Sequence, residues 1–241
     1  MPGTLTYAVG DIHGCFTKLA NLHRHCLDHS AGKPHRFVFL GDYVDRGKRT
    51  KEVIDFLIKA QAAAPDRIVC LMGNHEDLLL DAAKGENVAL WLDNSGDTTL
   101  RSYGVMMASE IQGAHLEWIG ALPLTHADGK RFYVHAGIMP GVPLKKQERK
   151  VMLWMREPFL SDRRDHGLFI VHGHTPLKTH EPQLSPNRLN LDTMAVLGGP
   201  LTAAVFDEKT TGPLAFITDD GKMTKAPMIT ELEEAWAAGA K

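Results

Sequence analysis

Cysteine is scarce in this 241-residue chain, with Cys15, Cys26 and Cys70 far apart and odd in number. A disulfide framework is therefore not expected, and a reducing, cytoplasmic setting fits better. The three thiols read as small buried hydrophobes. A surplus of charge of either sign is also missing: 27 Lys and Arg against 29 Asp and Glu leave a formal net charge of −2. That gives no footprint for nucleic acid. The densest basic cluster, Lys145, Lys146, Arg149 and Lys150, reads as a solvated face or a docking patch for an acidic partner. No apolar run approaches the roughly 18 residues a membrane helix needs, and the first strand starts too near the N-terminus to leave room for a signal peptide. Repeats and low-complexity tracts are lacking too. Hydrophobic residues make up 44%, as in an ordinary globular protein.

What the chain does have is five short apolar runs that each end in metal-binding residue types. Tyr7-Ala8-Val9 leads into Gly10-Asp11-Ile12-His13-Gly14, and Phe37-Val38-Phe39-Leu40 into Gly41-Asp42-Tyr43-Val44-Asp45-Arg46-Gly47. The run from Ile68 to Met72 meets Gly73-Asn74-His75-Glu76. Phe132-Tyr133-Val134 ends at His135-Ala136-Gly137, and Phe169-Ile170-Val171 at His172-Gly173-His174-Thr175. Strands apolar throughout belong in a sheet interior, and open α/β sheets bind ligands at the carboxyl ends of their strands. All five clusters are therefore expected along one sheet edge.

Between the first three runs the pattern is helical. Leu19, Leu22 and Leu27 form one stripe after Gly14, and Val53, Ile54, Leu57 and Ile58 another, with Thr50 as N-cap and Pro65 as the stop. Strand, helix, strand, helix, strand is the signature of parallel crossover units and of an α/β fold. From Glu76 to Lys130 no strand is expected. Asp93 to Asp97 reads as a loop and His115 to Leu122 as a helix. This stretch, 76–130, is expected to be a helical insertion near the site mouth, where substrate selection could reside. Arg188 to Asp192, Leu201 to Asp207 and Leu214 to Thr218 read as antiparallel strands, and Glu231 to Ala238 as a terminal helix. Motifs spread from Asp11 to His174 imply one domain over 1–241, since a boundary would split the site.

A pair of divalent ions about 3.5–4 Å apart can hold a phosphate and activate water near neutral pH. Such a centre needs a bridging carboxylate, hard oxygen ligands and imidazoles. Asp11 and His13 can both face the site, Asp42 is the natural bridge, and Asn74, His135 and His174 supply a neutral oxygen and two imidazoles. Glycines before Asp11, Asp42, Asn74 and His174 would let backbone pass close to the ions. Mixed nitrogen and oxygen ligands suit Mn²⁺, the leading expectation, or Fe or Zn²⁺. One such motif is weak, because aspartate beside glycine or histidine is common in turns; five in this context are not.

These motifs resemble the phosphoprotein phosphatase branch of the calcineurin-like metallophosphoesterases, closest to the bacterial and phage serine/threonine type. The resemblance runs from Asp11 to Asn190-Leu191-Asp192-Thr193. It implies a central β-sandwich flanked by helices, with Asp11, His13 and Asp42 on one metal and Asp42, Asn74, His135 and His174 on the other. It implies that His75 protonates the leaving oxygen while Asp45 orients its ring, and that hydrolysis is direct, without a phosphoenzyme. Arg46, Asn74 and Arg156 are the candidate phosphate-binding residues: the fork of Arg46 suits two phosphate oxygens, and Arg156 matches the family's second phosphate-holding arginine. A surface ion pair with Glu157 or Asp162 is the alternative for Arg156. His172 is expected to support or pack, His23, His25 and His29 to lie on the surface, and Glu76 to favour a helix dipole. Met194 departs from the usual Asp-Thr-Gly, which bears on a local turn.

The first functional expectation is a phosphomonoesterase acting on protein phosphoserine or phosphothreonine, with small phosphoesters as further substrates. The second is a hydrolase of dinucleoside polyphosphates such as diadenosine tetraphosphate. Asp45 and Glu76 favour the first, because the bacterial enzymes of the second kind typically lack that aspartate and read Gly-Asn-His-Asp. The third is a binding module on a dead scaffold, which the complete set of motif residues disfavours.

Overall fold

The structure, a computed structural model, describes residues 3–238. Strands β1 (Leu5–Val9), β2 (His35–Phe39) and β3 (Ile68–Cys70) pair in parallel, with Leu5 opposite His35 and Phe37 opposite Ile68. Helices α1 (Phe16–Ser30) and α2 (Thr50–Ala63) make the two crossovers. The strands are apolar on both faces because both faces are covered. Tyr7, Val9, Phe37 and Phe39 point into a layer with Leu19 and Leu22 of α1 and Val53, Ile54 and Leu57 of α2. Ala8, Val38 and Leu40 point the other way, into a second layer. In α1 the buried stripe is Leu19, Leu22 and Cys26, while Leu27 is exposed, a correction of one residue to the expected stripe. Thr50 is the first residue of α2 rather than its cap: it is buried, with Oγ1 3.4 Å from Thr99 Oγ1.

The expectation of one sheet edge is corrected. Two sheets are present among the described residues. After α3 (Asn74–Ala83), α4 (Val88–Asp93), α5 (Gly96–Tyr103) and α6 (Gly113–Gly120), a second sheet begins with β4 (Thr125–Ala127) and β5 (Arg131–Val134). It continues, after the short α7 (Arg149–Trp154), with β6 (Phe169–His172), β7 (Gln183–Ser185) and β8 (Arg188–Asn190), in the order β4-β5-β6-β8-β7. The chain then returns through β9 (Thr202–Phe206), β10 (Ala215–Thr218) and β11 (Met223–Lys225) to complete the first sheet, ordered β11-β10-β9-β1-β2-β3. It ends in α8 (Ile229–Ala238). Tyr133, Phe169, Val171 and Leu189 meet Ala8, Val38 and Leu40 between the sheets, and Phe132, Val134 and Ile170 pack outward on Met152, Met155 and Phe159. Each fully buried Val, Leu, Ile, Phe or Met among them contributes about 1.5–3 kcal/mol.

Three further expectations shift. Strand β4, antiparallel to β5, lies inside the stretch 76–130 that was expected to be strand-free. Strand β8 is antiparallel to β7 but parallel to β6. Only Asn94 and Ser95 separate α4 from α5. No helix among the described residues is long and apolar enough to cross a membrane.

Candidate metal centre

The motif residues sit where parallel strands end and the chain must turn sharply. His13, Asp42, Asp45, Arg46 and His174 all take left-handed backbone, with φ of 44°, 52°, 66°, 65° and 65°. That conformation costs a non-glycine residue about 1–2 kcal/mol, so this cluster is a place where the fold holds strain at a site. The loops after β1 and β2 are tied together: the amides of Ile12 and His13 donate to Asp42 O at 3.0 and 2.8 Å, and Gly14 N donates to Tyr43 O at 2.9 Å. Gly73 has to be glycine, since a Cβ there would overlap the Asp42 carboxylate and backbone.

Glu76 braces the same loop. Its Oε2 accepts from the amides of Asp42 (2.8 Å) and Gly73 (2.9 Å), and its Oε1 from Tyr43 (2.8 Å) and Val44 (3.1 Å). The side chain is fully buried. It stands in the first turn of α3, where its charge suits the helix dipole as expected, and it also holds the turn that presents Asp42.

Asp42 stands at the centre of two groups of ligand atoms, each within 4.8 Å of one another: His13, Asp42 and His75, and Asp42, His135 and His174. Its Oδ2 lies 3.4 Å from His13 Nε2, and its Oδ1 lies 3.3 Å from His135 Nε2. Asn74 Oδ1 faces His135 Nε2 at 2.8 Å and His174 Nδ1 at 2.9 Å. Asp11 enters from the side, its two oxygens accepting the His174 amide at 3.2 and 3.1 Å.

Hydrogen-bond partners show which atoms of this cluster are free to take a cation. His13 Nδ1 donates to Val44 O at 2.8 Å and His135 Nδ1 to Leu40 O at 2.9 Å. The Nε2 lone pair of His135 is then aimed at the Asn74 and Asp42 oxygens, while that of His13 meets the Arg46 guanidinium as well as Asp42 Oδ2. Acceptors facing acceptors in a buried site are unfavourable unless a cation lies between them. A proton would serve poorly at two of the rings: burial pushes His135 down, and burial followed by the His135 charge pushes His174 down to about 2. Burial would raise Asp42, but His135, His75 and His13 hold it well below the carboxylate range. Burial and the charges of Asp192 and Asp42 push Asp11 up. The donor set of carboxylates, an amide oxygen and neutral imidazoles could hold divalent cations.

His75 Nδ1 donates to Asp45 Oδ2 at 2.8 Å, and its Nε2 faces Asp42 Oδ2 at 4.0 Å. Arg46 Nη1 lies 2.7 Å from His13 Nε2, so a guanidinium already occupies one cation-seeking position.

The calcineurin-like phosphoesterase family model matches residues 5–201. The chain belongs to this family. A serine/threonine-protein phosphatase 1 of Salmonella typhimurium is 32% identical, over 82% of this chain and 90% of its own. An asymmetrical bis(5'-nucleosyl)-tetraphosphatase PrpE of Anoxybacillus flavithermus is 30% identical, over 84% of this chain and 91% of its own. In fold, the chain matches a cold-active protein-tyrosine phosphatase of a psychrophile Shewanella with a TM-score of 0.69 at 18% identity, over 94% of this chain and 83% of that one. As a member of this family the protein is a metallophosphoesterase, a hydrolase of phosphoester bonds.

Within this phosphoesterase the structure gathers Asp11, His13, Asp42, Asp45, Arg46, Asn74, His75, His135 and His174. Arg156 is exposed, and its charge acts on His174, whose ring also meets Trp154 at 6.0 Å. It makes no ion pair with Glu157 or Asp162; Glu157 instead accepts from Ser161 at 2.6 Å. His172 is fully buried, packs on Phe159 at 5.0 Å and is pushed down to about 3, chiefly by burial. His23, His25 and His29 are half-buried rather than on the surface: His23 packs on Phe37 at 4.8 Å, and His29 Nδ1 meets Tyr7 OH at 2.9 Å. Met194 takes the left-handed backbone (φ 60°) that glycine would take without strain. Sequence reasoning missed Trp91, Thr99 and Asp192. The first two touch Asp45, and the third is buried with its charge on Asp11.

Proposed function

We propose that this phosphoesterase is a phosphomonoesterase that removes phosphate from phosphoserine and phosphothreonine in proteins. The observation that supports this most is the buried Asp45–His75 pair, at 2.8 Å and essentially shielded from solvent. An alkoxide from serine or threonine is a poor leaving group and gains from a positioned proton donor, whereas a polyphosphate leaving group is already acidic. Glu76 carries no such information, because both its oxygens serve the loop amides.

In this reading Asp11, His13 and Asp42 hold one divalent ion and Asp42, Asn74, His135 and His174 the other. Bound there, the ions would neutralise phosphate charge and lower the pKa of water; Mn²⁺ is our first choice, with Fe or Zn²⁺ as alternatives. Arg46, Asn74 and Arg156 grip the phosphate oxygens. The attacking water gives one proton to solvent; as the bond from its oxygen to phosphorus forms and the ester P–O bond breaks, the electron pair leaves with the serine or threonine oxygen. That oxygen takes the proton from His75 Nε2, Asp45 keeps its hold on Nδ1–H, and solvent reprotonates the ring. We further infer a single domain over 1–241, because the proposed ligands come from both sheets; residues 1–2 and 239–241 lie outside the described structure.

The similarity to PrpE supports a second reading, hydrolysis of dinucleoside tetraphosphates, at nearly equal identity. The deciding experiment compares a phosphothreonine peptide with diadenosine tetraphosphate on Mn²⁺-loaded protein. The expected result is a higher kcat/KM on the peptide. Preferential cleavage of the dinucleotide would make the chain a nucleotide hydrolase in spite of Asp45.

A further inference from the structure

The strongest unassigned geometry lies behind the proton donor. Asp45 is completely buried and engaged on every side. Its Oδ2 accepts from His75 Nδ1 at 2.8 Å and from Trp91 Nε1 at 3.1 Å, and its Oδ1 accepts from Thr99 Oγ1 at 2.7 Å and again from Trp91 Nε1 at 3.1 Å. The Asp45 amide donates to Thr99 Oγ1 at 2.9 Å. That bond fixes the sense of the other: the Thr99 hydroxyl accepts from the backbone and therefore gives its one proton to the carboxylate. The indole itself is held by Gly96, at the start of α5, where any Cβ would overlap the ring.

We infer that Trp91 and Thr99 are positioning residues for the general acid, locking the Asp45 carboxylate so that it holds His75 in one orientation. The inference rests on the Asp45–His75 acid proposed above. A carboxylate held only by His75 could rotate about its Cβ–Cγ bond and swing the ring with it. With the indole bridging both oxygens and the hydroxyl on one, rotation breaks two bonds to a charged group. Helices α4 and α5 thereby act through Asp45 on the position of His75 Nε2, on the side of the ring facing Asp42. Neither Trp91 nor Thr99 belongs to the proposed ligand set.

The test uses the full chain loaded with Mn²⁺, and four proteins beside wild type. These are Asp45→Asn, Thr99→Val, Thr99→Ser, and a protein in which Trp91 is replaced by benzothienylalanine, which keeps the ring shape without an N–H. Each is assayed on a phosphothreonine peptide, with its poor leaving group, and on an aryl phosphate, whose phenolate leaves without help. Melting temperature and bound metal by elemental analysis are read in parallel. Hydrogen bonds to charged groups are strong enough that Thr99→Val and the benzothienyl protein should each lose about tenfold in kcat on the peptide. KM, metal content and the aryl phosphate rate should stay within about twofold, and Thr99→Ser should recover most of the loss. Equal loss on both substrates, loss of metal, or failure of serine to rescue would overturn the positioning role. If Thr99→Val does not fold, the benzothienyl protein decides alone. Should Asp45→Asn lose the peptide reaction selectively while the Thr99 and Trp91 changes do nothing, the acid stands and only the positioning role falls. Should Asp45→Asn itself show no preference between substrates, the acid assignment fails and takes this inference with it.

Discussion

Four amide protons converge on one carboxylate at Glu76, and no other residue type of that length can accept them all. Glutamine offers one acceptor oxygen and turns an NH2 toward donors. Alanine leaves the amides of Asp42, Tyr43, Val44 and Gly73 facing a cavity. An unmet buried donor costs about 1–3 kcal/mol, so Glu76→Ala should lower stability by about 4 kcal/mol or more. Urea unfolding of Glu76→Ala and Glu76→Gln would check this, and a loss under about 0.5 kcal/mol, within the ordinary range for surface substitutions, would show that the loop holds itself. The residue was legible in the sequence only as a neighbour of His75. Its partners lie more than 30 positions away, at Asp42, Tyr43 and Val44, and nothing in Gly73-Asn74-His75-Glu76 points to them. The proposed metal ligands were easier to find. Each follows a buried strand directly, so local pattern alone marks it.

At the scale of elements, the five apolar runs were legible as strands and the family resemblance implied the two sheets of a sandwich, but the pattern of the runs alone did not say which run joins which sheet. An apolar strand is buried on both faces either way, whether helices or a second sheet cover it. Trp91 and Thr99 were missed for a related reason: on α4 and α5 they sit among ordinary helical residues, and only the packing of those helices brings them to Asp45. The link between the sheets at Arg131 is equally non-local. Its guanidinium leaves β5 to donate to the carbonyls of Asp207 (2.9 Å) and Thr210 (3.2 Å) beyond β9, while its Nε donates to Asp128 Oδ2 at 2.7 Å. Burial would push Asp128 up, but the Arg131 charge, the amide of Arg131 and the Tyr133 hydroxyl hold it below the carboxylate range. A carboxyl depressed in the folded state stabilises fully above its unfolded pKa, about 3.9. That contribution is lost as pH falls through the lower folded value. Wild type should therefore lose more stability than Asp128→Asn on acidification below about pH 4, measured by urea unfolding at stepped pH. Parallel losses in the two proteins would detach Asp128 from this part of the acid response.

Taken whole, the molecule is two sheets whose proposed metal ligands are divided between them. Asp11, His13 and Asp42 come from loops of the first sheet and Asn74 from the start of α3 beyond β3, while His135 and His174 lie past the ends of β5 and β6 in the second. Any ion that binds both sets ties the sheets together and binds the folded chain far better than the unfolded one. The linkage is general: ligand at about 100 times its Kd stabilises by about 2.7 kcal/mol. For a chain of this size each kcal/mol shifts Tm by about 2–4 °C. Adding Mn²⁺ to chelator-stripped protein should therefore raise Tm by roughly 5–11 °C, and excess chelator should reverse the shift. The decisive variant is His135→Ala, which removes one ligand on the second sheet and leaves the first sheet's ligands in place. If the two sets act as one centre, its Mn²⁺-dependent shift should fall to less than half that of wild type. An undiminished shift in His135→Ala, or the same shift in Asp42→Asn, would place the stabilising ion elsewhere and break the proposed bridge between the sheets.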